Sequence, residues 1–109
     1  MRLERTPRLA EPAEVAGHWR IETKGDGCGV SLTAESVVFP GPDAAGWRLT
    51  GDDACLATLH LRGVEAWRPS SDGIALLRAD GSLVVFLSRK GQGFEGPGPD
   101  GERLRLVRA

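Results

Sequence analysis

The side chains best suited to chemistry in this chain are two histidines, His18 and His60, and two cysteines, Cys28 and Cys55. Beside them stand four aspartates that each precede a glycine, Asp26, Asp72, Asp80 and Asp100. A zinc site draws its ligands from close-spaced motifs such as H-x-x-E-H or C-x-x-C. Neither histidine belongs to such a motif, so no metal of the chain's own is expected. A calcium loop of the EF-hand kind needs oxygen ligands at alternate positions within one loop. The four aspartates are instead scattered singly before glycines, as turn residues are. No G-x-S-x-G elbow, Walker loop or G-x-G-x-x-G is present, and Gly91-Gln92-Gly93 follows a strand-like run with no helix after it. With no catalytic constellation, the expectation is a binding protein without enzymatic activity and without a cofactor.

The cysteines leave two alternatives open. A bridge would close a loop over about a quarter of the chain and contribute on the order of 3–4 kcal/mol by restricting the unfolded state. It would also imply an oxidising compartment, so a periplasmic or secreted protein. The other alternative is a pair of buried free thiols in the cytosol. Residues 1–9 are too polar for a signal-peptide core, so the first alternative carries the expectation of an export signal outside these residues.

The elements that must carry these residues are short. At 109 residues there is material for one core, and a net charge of −1 provides no basic face for nucleic acid and no polybasic membrane anchor. No apolar run approaches the ~20 residues of a membrane span. Fifteen glycines and seven prolines punctuate the chain at intervals typical of a small all-β sandwich or barrel. Apolar alternation marks strands over residues 19–23, 28–33, 47–49, 64–67, 74–78, 83–88, 93–96 and 103–107, with an irregular connection over 36–45. Asp52 and Asp53 before Leu56 and Leu59 predict a short helix over 53–60. Ser71-Asp72-Gly73, Ala79-Asp80-Gly81 and Pro99-Asp100-Gly101 are tight-turn sequences, so neighbours in sequence should pair in space.

The fold class expected is therefore all-β: an eight-stranded antiparallel up-and-down barrel with an N-terminal arm and one short helix. Residues 1–13 form the arm, with a helical turn near residues 13–16, and 14–109 the barrel domain, expected to be a monomer. Trp19, Ile21, Val30, Leu32, Trp47, Leu49, Ile74, Leu76, Val85, Leu104 and Leu106 should point inward. Leu83-Val84-Val85-Phe86-Leu87 is apolar on both faces, which calls for an outer cover, and the 53–60 helix is the expected one.

Several of these stretches together resemble the inhibitors of secreted bacterial zinc metalloproteases of the serralysin type. They are Gly17-His18-Trp19, Cys28, the run from Gly51 through Cys55 to Leu56, Ala66-Trp67-Arg68-Pro69, the run from Asp72 to Leu77, and Ala79-Asp80-Gly81. The resemblance extends from about Val15 onward. It implies a Cys28–Cys55 disulfide and a lipocalin-like barrel with Trp19 plugging one end. It further implies an N-terminal segment, here Met1, Arg2, Leu3, Glu4 and Arg5, that enters the protease cleft and sets its α-amino group on the catalytic zinc. The chain departs from the serine- and leucine-rich start that the resemblance would suggest. Trp67 and Arg68 are open to two readings, core or a secondary contact with the protease. A lipocalin-like carrier of a small apolar ligand and a structural envelope domain are the competing functions.

Overall fold

A computed structural model of the protein describes residues 12–40 and 45–109. In chain order it contains a one-turn helix α1 (Pro12–Val15), β1 (Gly17–Thr23), β2 (Asp26–Val38), β3 (Ala45–Gly51) and a second helix α2 (Asp53–Thr58). After them come β4 (Val64–Ser70), β5 (Gly73–Arg78), β6 (Leu83–Lys90), β7 (Gly93–Pro97) and β8 (Arg103–Arg108). Each strand pairs antiparallel with the next and β8 returns to β1, giving a closed barrel. The up-and-down order follows from the short turns, and closure removes the pairing edges that an open sheet would expose.

Closure fixes which residues face inward. Ile21 lies opposite Cys28 on β2 and opposite Leu106 on β8. The period-two alternation of side chains then sends Trp19, Ile21, Cys28, Val30, Leu104 and Leu106 to one face, and all are buried. Arg20 and Glu22, one step out of phase, meet each other in solvent at 3.2 Å. Leu32, Leu49, Ile74, Leu76 and Val85 are buried as their alternation requires, whereas Trp47 is only half-buried at the edge of the core. It lies beside a bulge in β2: Leu32 pairs with Leu49, and the next pair is Ser36 with Trp47. The bulge is stitched by Thr33, whose hydroxyl donates to Arg48 O (3.0 Å) and accepts from Glu35 N (3.2 Å). Because the bulge absorbs the irregularity, β2 runs on to Val38, through the first part of the connection expected to be irregular.

The α2 helix starts where its aspartate predicted, with Asp52 Oδ1 accepting from Ala54 N at 2.9 Å and Cys55 N at 3.4 Å. Its end is closed by Leu61 N to Leu56 O (2.9 Å) and His60 N to Ala57 O (3.1 Å), with His60 at φ 63°. This is a Schellman motif with histidine in the left-handed position that glycine usually fills. Leu56, Leu59 and Leu61 enter the main core, and Cys55 is bonded to Cys28, so α2 plugs the barrel at the β1–β2 turn end.

The expected cover over β6 is corrected by this arrangement. A second apolar cluster on the outer face is formed by Phe39 packed with Ala66 and Leu77, not by α2. Gly46 leaves room for that ring: a Cβ there would stand 2.9 Å from Phe39 Cε2 and Cζ. On β6, Phe86 is half-buried, its ring lying over Gly73, while Leu83 is 58% exposed. The helical turn expected near residues 13–16 is α1, which begins one residue earlier at Pro12. Trp67, Leu76, Leu87 and Leu106 are fully buried and fill the interior that an apolar ligand would need. A depression of about 300 Å³ lies on the outside, flanked by Lys90, Glu95, Arg105 and Arg108, charged groups unsuited to such a ligand.

Candidate functional site

The barrel end opposite α2 carries α1, and among the described residues hydrogen bonds from Trp19 and Arg108 hold it there. Trp19 Nε1 donates to Val15 O at 2.8 Å. Arg108 Nη1 donates to Ala16 O at 3.1 Å, and its Nη2 to Glu14 O at 2.7 Å. All three acceptors lie at the C-terminal end of α1, where a helix leaves carbonyls without internal partners. Ala16 N closes the single turn on Pro12 O at 2.8 Å. Proline fits this position because φ near −65° suits a first helical turn and its missing N–H is not needed there.

The anchor is assembled from three separated parts of the chain. Trp19 is 3% exposed and packs against Phe94 with ring centroids 5.8 Å apart, which makes it the expected plug. Arg108 sits opposite Trp19 in the β1–β8 ladder, and its guanidinium carbon lies 4.3 Å from the indole centroid. Such a cation over an indole face contributes about 0.5–1 kcal/mol at an exposed site. Gly17, at φ 140°, completes the set: a Cβ there would lie 2.7 Å from Arg108 Nη1. The Gly-x-Trp start of β1 thus leaves a passage for the arginine and gives it a surface to lie on.

The expected site residues Met1, Arg2, Leu3, Glu4 and Arg5 lie outside the described residues. Trp67 and Arg68 do not form a joint surface patch. Trp67 is fully buried, with Nε1 donating to Thr33 O at 3.0 Å, and so belongs to the core. Arg68 is half-exposed and braces β4 on β3 through Nε to Ala45 O at 3.0 Å. His18 and His60 are apart and engaged elsewhere, His18 Nδ1 with the Ser31 hydroxyl (3.0 Å) and His60 Nε2 with Asp100 Oδ2 (3.5 Å). Among the described residues no three His, Cys, Asp or Glu side chains converge as a metal site would require. Arg108 was not singled out by sequence reasoning. Its pairing with Trp19 arises only when the first and last strands meet, and a terminal arginine carries no local signal of that.

The arrangement ties α1 to the first and last strands of the barrel through Trp19 and Arg108. Comparison with known proteins finds protease inhibitors. The chain is 36% identical over 88 residues to a proteinase inhibitor of Dickeya chrysanthemi, covering 81% of this chain and 69% of that protein. It is 34% identical over 105 residues to an alkaline proteinase inhibitor of Pseudomonas syringae pv. tomato, covering 93% and 75%. The crystal structure of an inhibitor of a psychrophilic marine protease, MP, superimposes with a TM-score of 0.71 at 29% identity, covering 92% of this chain and all of that one. Residues 9–108 match the profile of the family described as protease inhibitor Inh, and the chain belongs to that family.

Proposed function

We propose that this protease inhibitor acts on a secreted bacterial zinc metalloprotease of the serralysin type. The segment before α1 occupies the active-site cleft, and its α-amino group takes the open position on the protease's zinc. The observation that carries the proposal is the fixed departure point: Val15, Ala16 and Glu14 are tied by their carbonyls to Trp19 and Arg108. A peptide that leaves a rigid body at a defined place loses less freedom on binding than a free one does. Residues 1–11, fully extended, would reach at most roughly 40 Å from that point, ample for a cleft.

The zinc chemistry is consistent with the rest. A catalytic zinc keeps one position for water, and a neutral amine is a nitrogen ligand that displaces the water without presenting a scissile bond. The Cys28–Cys55 bridge supports a periplasmic or secreted location, where disulfides persist. The closed barrel, with few unpaired strand edges, favours a monomer.

The test is a truncation. Removal of residues 1–5 should raise the inhibition constant against a serralysin-type protease by orders of magnitude while thermal unfolding stays unchanged. A truncated chain that inhibits as well as the full one rules out the mechanism.

A further inference from the structure

We infer that Arg108 is the positioning residue of the inhibitor, the latch that holds α1 against the barrel and so aims the segment before it. This inference rests on the proposed role of that segment. The side chain is exposed, yet it is committed on two sides: two of its nitrogens donate to Glu14 O and Ala16 O, and its guanidinium carbon lies over the Trp19 ring. Those contacts add little to the barrel, because Trp19 is already buried against Phe94 and bonded to Val15 O, and β8 is already paired with β1 as far as Arg108. What they restrain is α1, a single turn closed by one backbone bond from Ala16 to Pro12, too short to persist by itself. A chain that reserves a left-handed glycine beside the guanidinium, at Gly17, keeps its passage clear. Lysine would not substitute fully, since an ammonium on a flexible stem lacks the planar fork that reaches two carbonyls while stacked on a ring.

The latch predicts a loss of aim without a loss of fold. Arg108→Met keeps an apolar stem over Trp19 and removes both donors; Arg108→Lys keeps the charge. Inhibition of a serralysin-type protease should weaken roughly tenfold or more in R108M and less in R108K, with circular dichroism and melting temperature close to those of the parent. In the free R108M inhibitor, 15N relaxation should show residues 13–16 moving from rigid order parameters near 0.85 to below about 0.6. Unchanged inhibition with α1 loosened would overturn the inference, because aim would then not matter. Weakened inhibition with α1 still rigid would overturn it too, by making Arg108 a direct protease contact. The parent reading is judged separately by the chain lacking residues 1–5: if that chain inhibits normally, the arm has failed. If it does not and R108M still inhibits normally, only the latch has failed.

Discussion

Replacing Cys28 and Cys55 together by alanine removes a crosslink between residues 27 apart in sequence. For a loop of that size the chain-entropy relation gives about 12 cal/mol/K of lost restraint, or about 3.6 kcal/mol at 25 °C. Cys28 is 2% exposed, so trading its sulfur for nothing adds a further fraction of a kcal/mol from lost burial. The sum is about 4 kcal/mol. At an unfolding entropy of ~2.1 cal/mol/K per residue, a chain of this length should then melt about 15–20 °C lower. Urea and thermal unfolding of the double variant measure the loss directly, and the urea slope should rise because the unfolded chain expands. The bridge ties α2 to β2 at the end away from α1, so inhibition well below the melting temperature should be unaffected. A loss under about 1 kcal/mol, or two reactive thiols in the unfolded, unreduced parent protein, would refute the reasoning.

Other consequences follow from burial and close approach. Leu76→Ala, at a fully buried position, should cost about 2–5 kcal/mol in chemical denaturation. Arg20→Ala, 51% exposed in its side chain, should stay within about 0.5 kcal/mol, and a large effect there would mean the strand register is wrong. Gly46→Ala should destabilise by about 1–3 kcal/mol, since its Cβ would press on Phe39 and on Trp67 O, 3.3 Å away. Gly29→Ala meets nothing within 4 Å and should be neutral or stabilising by a few tenths of a kcal/mol; equal costs at the two sites would contradict the packing described. The Asp80 carboxyl is held below the ordinary aspartate range, first by the Ser82 hydroxyl (2.7 Å) and then by the Ser82 N–H (2.9 Å). A lowered folded value favours the ionised form, so this contribution is present above the unfolded value and is lost as pH falls through the folded one. Titration by NMR should place the midpoint under the usual value of about 3.9, Ser82→Ala should raise it, and a midpoint at or above that value would count against these hydrogen bonds.

The barrel was legible because alternation is a local signal: Trp19, Ile21, Val30 and Leu32 alternate in plain sight, and Asp-Gly turns join the strands they flank. The N-cap at Asp52 was legible for the same reason. The family resemblance, carried by Gly17-His18-Trp19, the two cysteines and the stretch around Trp67, proved correct. Contacts made across the closed sheet were not legible. Phe39 covers Ala66 and Leu77 only because β2 continues past a bulge, and nothing in Ser36-Val37-Val38-Phe39-Pro40 announces that. Trp67 leaned towards the core but stayed open to a contact role until β4 was placed between β3 and β5, with the indole reaching Thr33. The latch joins residues 14, 16, 17, 19 and 108, a set no window along the chain could bring together.

The central claim, that a barrel-held N-terminus supplies the ligand for a protease's zinc, is tested most directly by blocking the amine and nothing else. The inhibition constant against a serralysin-type protease would be measured for the inhibitor with a free and with an acetylated α-amino group, between about pH 6 and 8. An α-amino group titrates near 8 and ligates only when neutral, so the free form should inhibit more strongly as pH rises. The acetylated form should be orders of magnitude weaker, with no such gain. Equal inhibition by the two forms across that range would contradict the account.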